Sequence, residues 1–334
     1  MIVSDLITLD NKSEVPKYKQ IVQSLCFSIE NKLLKNGDQI PSINEISKYY
    51  NLSRDTVMTA FNELKAKGLI SSTPGKGYFV KSTETKRKQN VFLLFDELNA
   101  FKEILYNSFI TSIKGRASVD IYFHYFNKRI FKNIIKENLN KYSTFVIMPV
   151  GFKGISSAVN QITNANIFIL DQQNAELDYP GVYQNFSKDI FNALSDGMSL
   201  LKKYSKLIMV YPGGKEPKGQ ITGFTKFCKH YNFKNEIIKK PDERKLQKGD
   251  VYIVPKDTDL VYLVKKAKEM NFCFGRDIGL ISYNDTPLKE VVANGITTIS
   301  TDFNAMGKTL ANMVLNNINI KIENPSSLII RNSL

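Results

Sequence analysis

Residues 14–80 constrain the fold most tightly, because caps, apolar spacing and turn residues there fall in register over one short stretch. Pro16 suits the first turn of a helix, where the N–H it lacks is not needed. Tyr18, Ile21, Val22, Leu25, Ile29 and Leu33 follow at three- and four-residue steps and mark one buried face. Asn36-Gly37-Asp38 supplies turn chemistry to end that helix. Ser42-Ile43-Asn44-Glu45 has the pattern of a capping box, and Ile46 with Tyr49 or Tyr50 would bury a second helix. After the turn Asn51-Leu52, Ser53 caps a third, in which Val57, Ala60, Phe61 and Leu64 share one side. Asp55, Met58 and Asn62 lie opposite, with Arg54 and Lys65 on the flank, and Gly68 stops the helix. Leu69–Thr73 and Tyr78–Val80 are short β-like runs, and Pro74-Gly75-Lys76-Gly77 between them puts a lysine at the tip.

Three helices and a glycine-tipped hairpin are the outline of a winged helix-turn-helix. Its third helix, packed on one side and free on the other, has the arrangement that enters a major groove. The run IPSINEISKYYNLSRDTVMTAFNELKAKGLI, followed by GKGYFV, resembles the GntR-type winged helix over about 65 residues. That resemblance implies contacts to DNA phosphates or bases from Ser53, Arg54 and Thr56, and from Lys76 and Gly77 at the wing. Ser42 joins them as a candidate DNA contact. At two positions where the family usually holds arginine, this chain has Asn44 and Met58. The plainer alternatives are that Ser42 and Ser53 only cap helices, Arg54 is a solvated charge and Lys76 a turn residue.

The chain has 334 residues, 46 Lys+Arg against 32 Asp+Glu and a net charge of +14, a balance that fits a polyanionic partner. Genomic nucleotide bias toward lysine would give the same total, so position is more informative. From Lys65 to Asn90 there are seven basic residues and one acid, Glu84, where a wing and a linker would meet phosphates. Residues 1–80 read as the DNA-binding domain and 81–90, KSTETKRKQN, as an exposed linker without an apolar residue. The N-terminus lacks the order of a signal peptide and no apolar run approaches a membrane span, so a cytoplasmic protein with no membrane partner is expected.

Residues 91–334 alternate apolar runs with amphipathic stretches. Strands are expected at 91–95, 121–126, 145–150, 167–170, 206–211, 251–254 and 278–283, with helices at 129–140, 187–203, 218–232, 258–270 and 303–317. Buried strands with helical crossovers make parallel α/β sheets, whose ligands sit outside the carboxyl ends of the strands. The residues to inspect are therefore Asp96, Glu97, Asn127, Asp171, Gln172, Lys256, Asp257, Asn284 and Asp285. Phe101, Phe126 and Tyr283 are the aromatic candidates, with core packing as their default role.

The segment GLISYNDTPLKEVVANGITTISTDFNAMGKTLANMVL resembles the LacI/GalR effector domain, a relative of periplasmic sugar-binding proteins. The matching features are Asn284-Asp285, Thr297-Thr298-Ile299, Asp302 and Gly307. The resemblance implies a periplasmic-binding-protein-like type I domain: two lobes of parallel sheet around a cleft, with the chain crossing between them three times. It implies ligand hydrogen bonds from Asp285 and from Lys256 or Asp257, and it puts Gln220 where the family often has arginine. With Asp171, Glu97 and Phe126 these complete the candidate ligand set. Carboxylates and amides share hydroxyl hydrogens at fixed geometry and aromatics cover C–H faces, which suits a monosaccharide or derivative.

Enzymatic motifs are sparse. Cys26, Cys228 and Cys273 include no CxxC, and His124 and His230 lack ligand-spaced partners. Pro212-Gly213-Gly214-Lys215 lacks the spacing of a phosphate-binding loop and reads as a plain loop. No metal, cofactor or catalytic residue is expected. The leading expectation is a homodimeric transcription regulator that binds operator DNA and answers to a small carbohydrate. The alternatives are a dimerising DNA-binding protein with a vestigial cleft, and a sugar-modifying enzyme.

Overall fold

Apolar residues at helical spacing in the first ninety positions close into one small core. The computed structural model describes residues 3–10, 13, 15–82 and 89–334, and the chain divides into two units, Met1–Lys88 and Gln89–Leu334. Helices Lys17–Glu30, Ile43–Tyr50 and Arg54–Ala66 bury Ile21, Val22, Leu25, Ile29, Ile46, Val57, Ala60, Phe61 and Leu64 together. A short helix, Val3–Leu6, adds Leu6 to that core. Strand β1 (Gln39–Ile40) pairs antiparallel with β3 (Gly77–Val80), which forms the wing hairpin with β2 (Ile70–Thr73).

One detail differs from the expected pattern. The first long helix stops at Glu30, and Lys32 takes a left-handed φ of 61°. The chain therefore leaves helical periodicity before Leu33, which is 53% exposed, and Leu34 fills the core in its place.

The second unit holds two six-stranded sheets. The first orders its strands β14-β8-β7-β6-β4-β5, all parallel. These are β4 (Gln89–Phe95), β5 (Ala117–Phe123), β6 (Thr144–Ile147), β7 (Asn166–Asp171), β8 (Gly181–Tyr183) and β14 (Lys321–Glu323). The second is β10-β9-β11-β12-β13-β15, parallel except for the edge strand β15. It comprises β9 (Lys206–Val210), β10 (Asn235–Ile238), β11 (Asp250–Val254), β12 (Gly279–Tyr283), β13 (Thr297–Thr301) and β15 (Ser326–Ile329). The expected linker 81–90 gives up Gln89 and Asn90 to β4, while 83–88 lie outside the described residues.

The chain passes between the lobes three times, after β8, after β13 and after β14. Among the described residues no helix is long and apolar enough to cross a membrane.

Helix Phe303–Asn316 returns to the first lobe and packs on helix Ala100–Ile113. The approach is so close that a Cβ at Gly307 would stand 2.6 Å from the Leu105 carbonyl oxygen and 2.8 Å from the Phe109 amide nitrogen. Backbone on both sides must then move, and overpacking of this kind costs ~1–3 kcal/mol. Gly307→Ala is accordingly expected to lower the thermal midpoint of the second unit by several degrees, read by circular dichroism; an unchanged midpoint contradicts this packing.

Candidate functional site

The free face of the winged helix is built from its caps outward. Ser42 Oγ accepts from the Glu45 amide at 3.2 Å, and the Glu45 carboxylate accepts from the Ser42 amide at 2.6 Å, which holds the Glu45 pKa below its ordinary value. Ser53 Oγ accepts from the Thr56 amide at 3.2 Å and shares a hydrogen with the Thr56 hydroxyl at 2.9 Å. Both serines thus have capping as a settled structural role. Arg54 follows in the first turn, exposed, and Lys76 is exposed at the wing tip beside Gly77, whose φ of 107° lets the hairpin turn. Lys65 lies 5.1 Å above the Tyr78 ring, so its charge is held against the hairpin. Arg54, Lys65 and Lys76 are thus exposed cations on the third helix and the wing.

The second candidate is a cavity of about 540 Å3 between the carboxyl ends of the two sheets. Glu97, Phe126, Asp171, Gln220, Lys256 and Asp257, expected there from the sequence, all line it. Asp285 does not: it lines a neighbouring cavity instead. Its carboxylate accepts from both terminal nitrogens of Arg331, at 2.7 and 2.8 Å, and from the Thr298 hydroxyl at 2.9 Å. Burial alone would raise the Asp285 pKa, but the bonds from Arg331 and Thr298 and the Arg331 charge outweigh it and hold it below normal. Asp285 is thereby tied to the C-terminal segment through Arg331. Asn284, one residue earlier, lines the cleft.

Four cleft-lining residues at or just beyond strand ends have left-handed backbones: Phe126 (φ 55°), Val150 (45°), Asp171 (73°) and Asn284 (60°). Such conformations are strained for side-chain-bearing residues, valine above all, and persist where a site demands them.

The charges in the cleft are mostly matched. Lys102 and Asp96, both buried, form an ion pair, and Lys289 pairs with Asp257 at 3.1 Å while donating to the Tyr283 and Asn284 carbonyls. Lys215 reaches from the second lobe to Glu97 of the first, at 2.7 and 2.9 Å, and lies 5.0 Å above the Phe126 ring. The loop read as plain, Pro212-Gly213-Gly214-Lys215, thus carries the contact that bridges the cleft, turned by two left-handed glycines, φ 73° and 70°. Burial pushes the Asp171 carboxyl up, partly offset by the Lys102 charge and a 2.5 Å bond from the Gln184 amide. Gln184 escaped sequence reading because β8, three residues long, gives no periodic signal. The arrangement offers amide and carboxylate partners with aromatic walls. Among the described residues no three His, Cys, Asp or Glu groups are placed to hold a metal. His124 is packed against Phe131 and Phe152, with its Nε2 3.0 Å from the Met148 carbonyl oxygen.

Known proteins bear on both regions. Residues 17–80 match the family of bacterial regulatory proteins, gntR family, and residues 204–334 match the periplasmic binding protein-like domain. The repressor YtrA of Bacillus subtilis, an HTH-type transcriptional repressor, is 31% identical over 75 residues, 22% of this chain and 58% of that protein. The match therefore spans less than two thirds of that relative, and only 14% and 31% of two others. A LacI family transcriptional regulator from Silicibacter pomeroyi superimposes with a TM-score of 0.63 at 12% identity, covering 73% of this chain and 98% of that one. The lac repressor dimer, bound to operator and an anti-inducer, gives 0.63 at 14% identity over 74% and 94%. The chain thus joins a GntR-type winged helix-turn-helix to a two-lobed LacI-like fold.

Beneath the crossovers lies Asp189, buried, one carboxylate oxygen without a hydrogen-bond partner. Burial first, then the Glu323 charge, pushes its pKa up to about 7 against the pull of Lys188. The folded state therefore holds this proton more tightly than the unfolded chain. That stabilisation is complete below the ordinary aspartate range and is lost as the pH rises through about 7. Asp189→Asn stays neutral throughout. Its melting temperature relative to the parent should rise between about pH 5 and pH 8; a difference that stays flat across that window contradicts the assignment.

Proposed function

We propose that the chain is a ligand-responsive transcription regulator. The winged helix binds operator DNA as half of a homodimer on a two-fold site, and a small carbohydrate closing the interlobe cleft shifts that affinity. The observation that carries this reading is the pairing, in one chain, of a cation-bearing recognition helix with a two-lobed cleft of about 540 Å3. Either part alone would suit many roles. Together they supply a reader and something for the reader to answer to.

A carbohydrate suits the cleft because its lining is rich in hydrogen-bonding amides and carboxylates and most of its charges are paired. Asp171, Gln172, Gln184, Gln220 and Asn284 offer amide and carboxylate partners for hydroxyls, and Phe101, Phe126 and Phe186 can cover C–H faces. A cationic ligand would need an uncompensated acid, and Asp96, Glu97 and Asp257 are each bound to a lysine. The same lining gives no nucleophile held against a base, so a binding role is favoured over turnover.

Arg54→Ala combined with Lys76→Ala should weaken binding to a selected operator at least tenfold at moderate salt. It should also flatten the plot of log affinity against log salt by about 0.9 for each phosphate contact removed. Fluorescence anisotropy across a salt series reads both, and an unchanged slope and affinity refute the reader. In a thermal-shift panel of monosaccharides, a ligand at about a hundred times its Kd should add ~2.7 kcal/mol of stability. A panel that leaves the parent unshifted contradicts the carbohydrate.

A further inference from the structure

Helix Arg54–Ala66 turns Asp55, Met58, Thr59 and Asn62 outward, and all four are exposed. They form one stripe at three- and four-residue spacing. Its cations stand only at the ends, Arg54 in the first turn and Lys65 in the last. Lys65 is drawn over the Tyr78 ring, away from the middle of the stripe. Met58 is 38% exposed, an apolar side chain at the centre of a polar face. Thr59 spends its hydroxyl hydrogen on the Asp55 carbonyl at 2.8 Å. What the middle of the stripe presents is therefore an apolar thioether chain, one carboxamide and one carboxylate.

The four base pairs differ in what they show in the major groove. Guanine presents two acceptors, N7 and O6, and is matched by a cation or a double donor. Adenine presents an acceptor beside a donor, which a carboxamide matches on both atoms. Thymine alone among the bases presents a methyl group. A stripe without a central cation has little to offer guanine. One with methionine and asparagine four residues apart, about 6 Å along the helix, can meet two A·T pairs about two steps apart.

We propose that this stripe reads A·T pairs: Met58 packs on a thymine methyl and Asn62 pairs with an adenine about two base steps away, while Arg54, Lys65 and Lys76 meet phosphates. The inference rests on the DNA-binding reading above and names the sequence class of the site. Asp55 has no donor for guanine, but its carboxylate accepts from adenine N6 or cytosine N4 alike, so it does not decide between the pairs.

The test uses the full chain. Duplexes bound from a random-sequence library define the half-site. Within it each thymine is replaced singly by deoxyuridine, which removes only the methyl, and each adenine by 7-deazaadenine, which removes only N7. At least one uridine substitution is expected to weaken binding three- to tenfold in the parent and in Met58→Leu, and by less than twofold in Met58→Ala. One deazaadenine substitution should cost the parent about tenfold and leave Asn62→Ala unaffected. Both positions are exposed, and thermal melting confirms that each variant is folded. A half-site read through guanine, or uridine effects that persist in Met58→Ala, overturns this inference while DNA binding itself stands. If no duplex is recovered, and Arg54→Ala with Lys76→Ala changes nothing, the DNA-binding reading falls and takes this one with it.

Discussion

Three chain crossings, tied to one another by side-chain hydrogen bonds, join the two lobes of the second unit. Asn185 in the first crossing caps the helix Phe186–Asp196 and donates to Glu323 in the third at 3.1 Å. Lys188 binds the same carboxylate at 2.6 Å. Asn324, also in the third crossing, donates to the Thr301 hydroxyl at 3.1 Å and to the Asp302 carbonyl at 2.9 Å, which belong to the second. Asp302 in turn caps the helix that follows, accepting from the Ala305 amide at 2.8 Å. Separate strands would let the lobes twist independently. These hydrogen bonds tie the crossings to one another.

The cleft itself is poised rather than locked. Its deep ion pair, Lys102 with Asp96, is buried and belongs to a single lobe, so it sets the shape of one wall whichever way the lobes stand. The contact that bridges the lobes, Lys215 with Glu97, is part-exposed, with side chains 42% and 28% accessible. Pairs of that kind contribute ~0–1 kcal/mol, enough to bias closure severalfold and too little to enforce it. The ion pair within one lobe is the more buried and the one between the lobes the more exposed.

Much of this was legible in the sequence, and the failures have physical causes. The winged helix was readable because its caps, core spacing and glycine turns are local signals, all confined to the first eighty positions. The long buried strands showed as apolar runs, since parallel strands are covered on both faces. Strands β8, β10, β13, β14 and β15 gave no run of their own: four are short or at edges, and β13, TTIST, is threonine-rich though fully buried. Helix Ala100–Ile113 was missed because it packs against both its sheet and helix Phe303–Asn316, so apolar residues surround it and no stripe stands out. The bond from Arg331 to Asp285 could not be read from the sequence. The two residues are 46 apart in sequence, and no local pattern announces a contact of that kind.

On the proposed reading the cleft and the DNA are coupled. If closing about the stitched crossings resets the spacing of paired readers, operator affinity must change when the cleft fills. By linkage, ligand affinity must change by the same factor when DNA is bound. The direct measurement is a closed thermodynamic cycle by titration: operator affinity with and without saturating ligand, and ligand affinity with and without saturating operator. The account predicts two equal factors, at least tenfold or ~1.4 kcal/mol, in either direction. A ligand that fills the cleft tightly while operator affinity stays the same would contradict it.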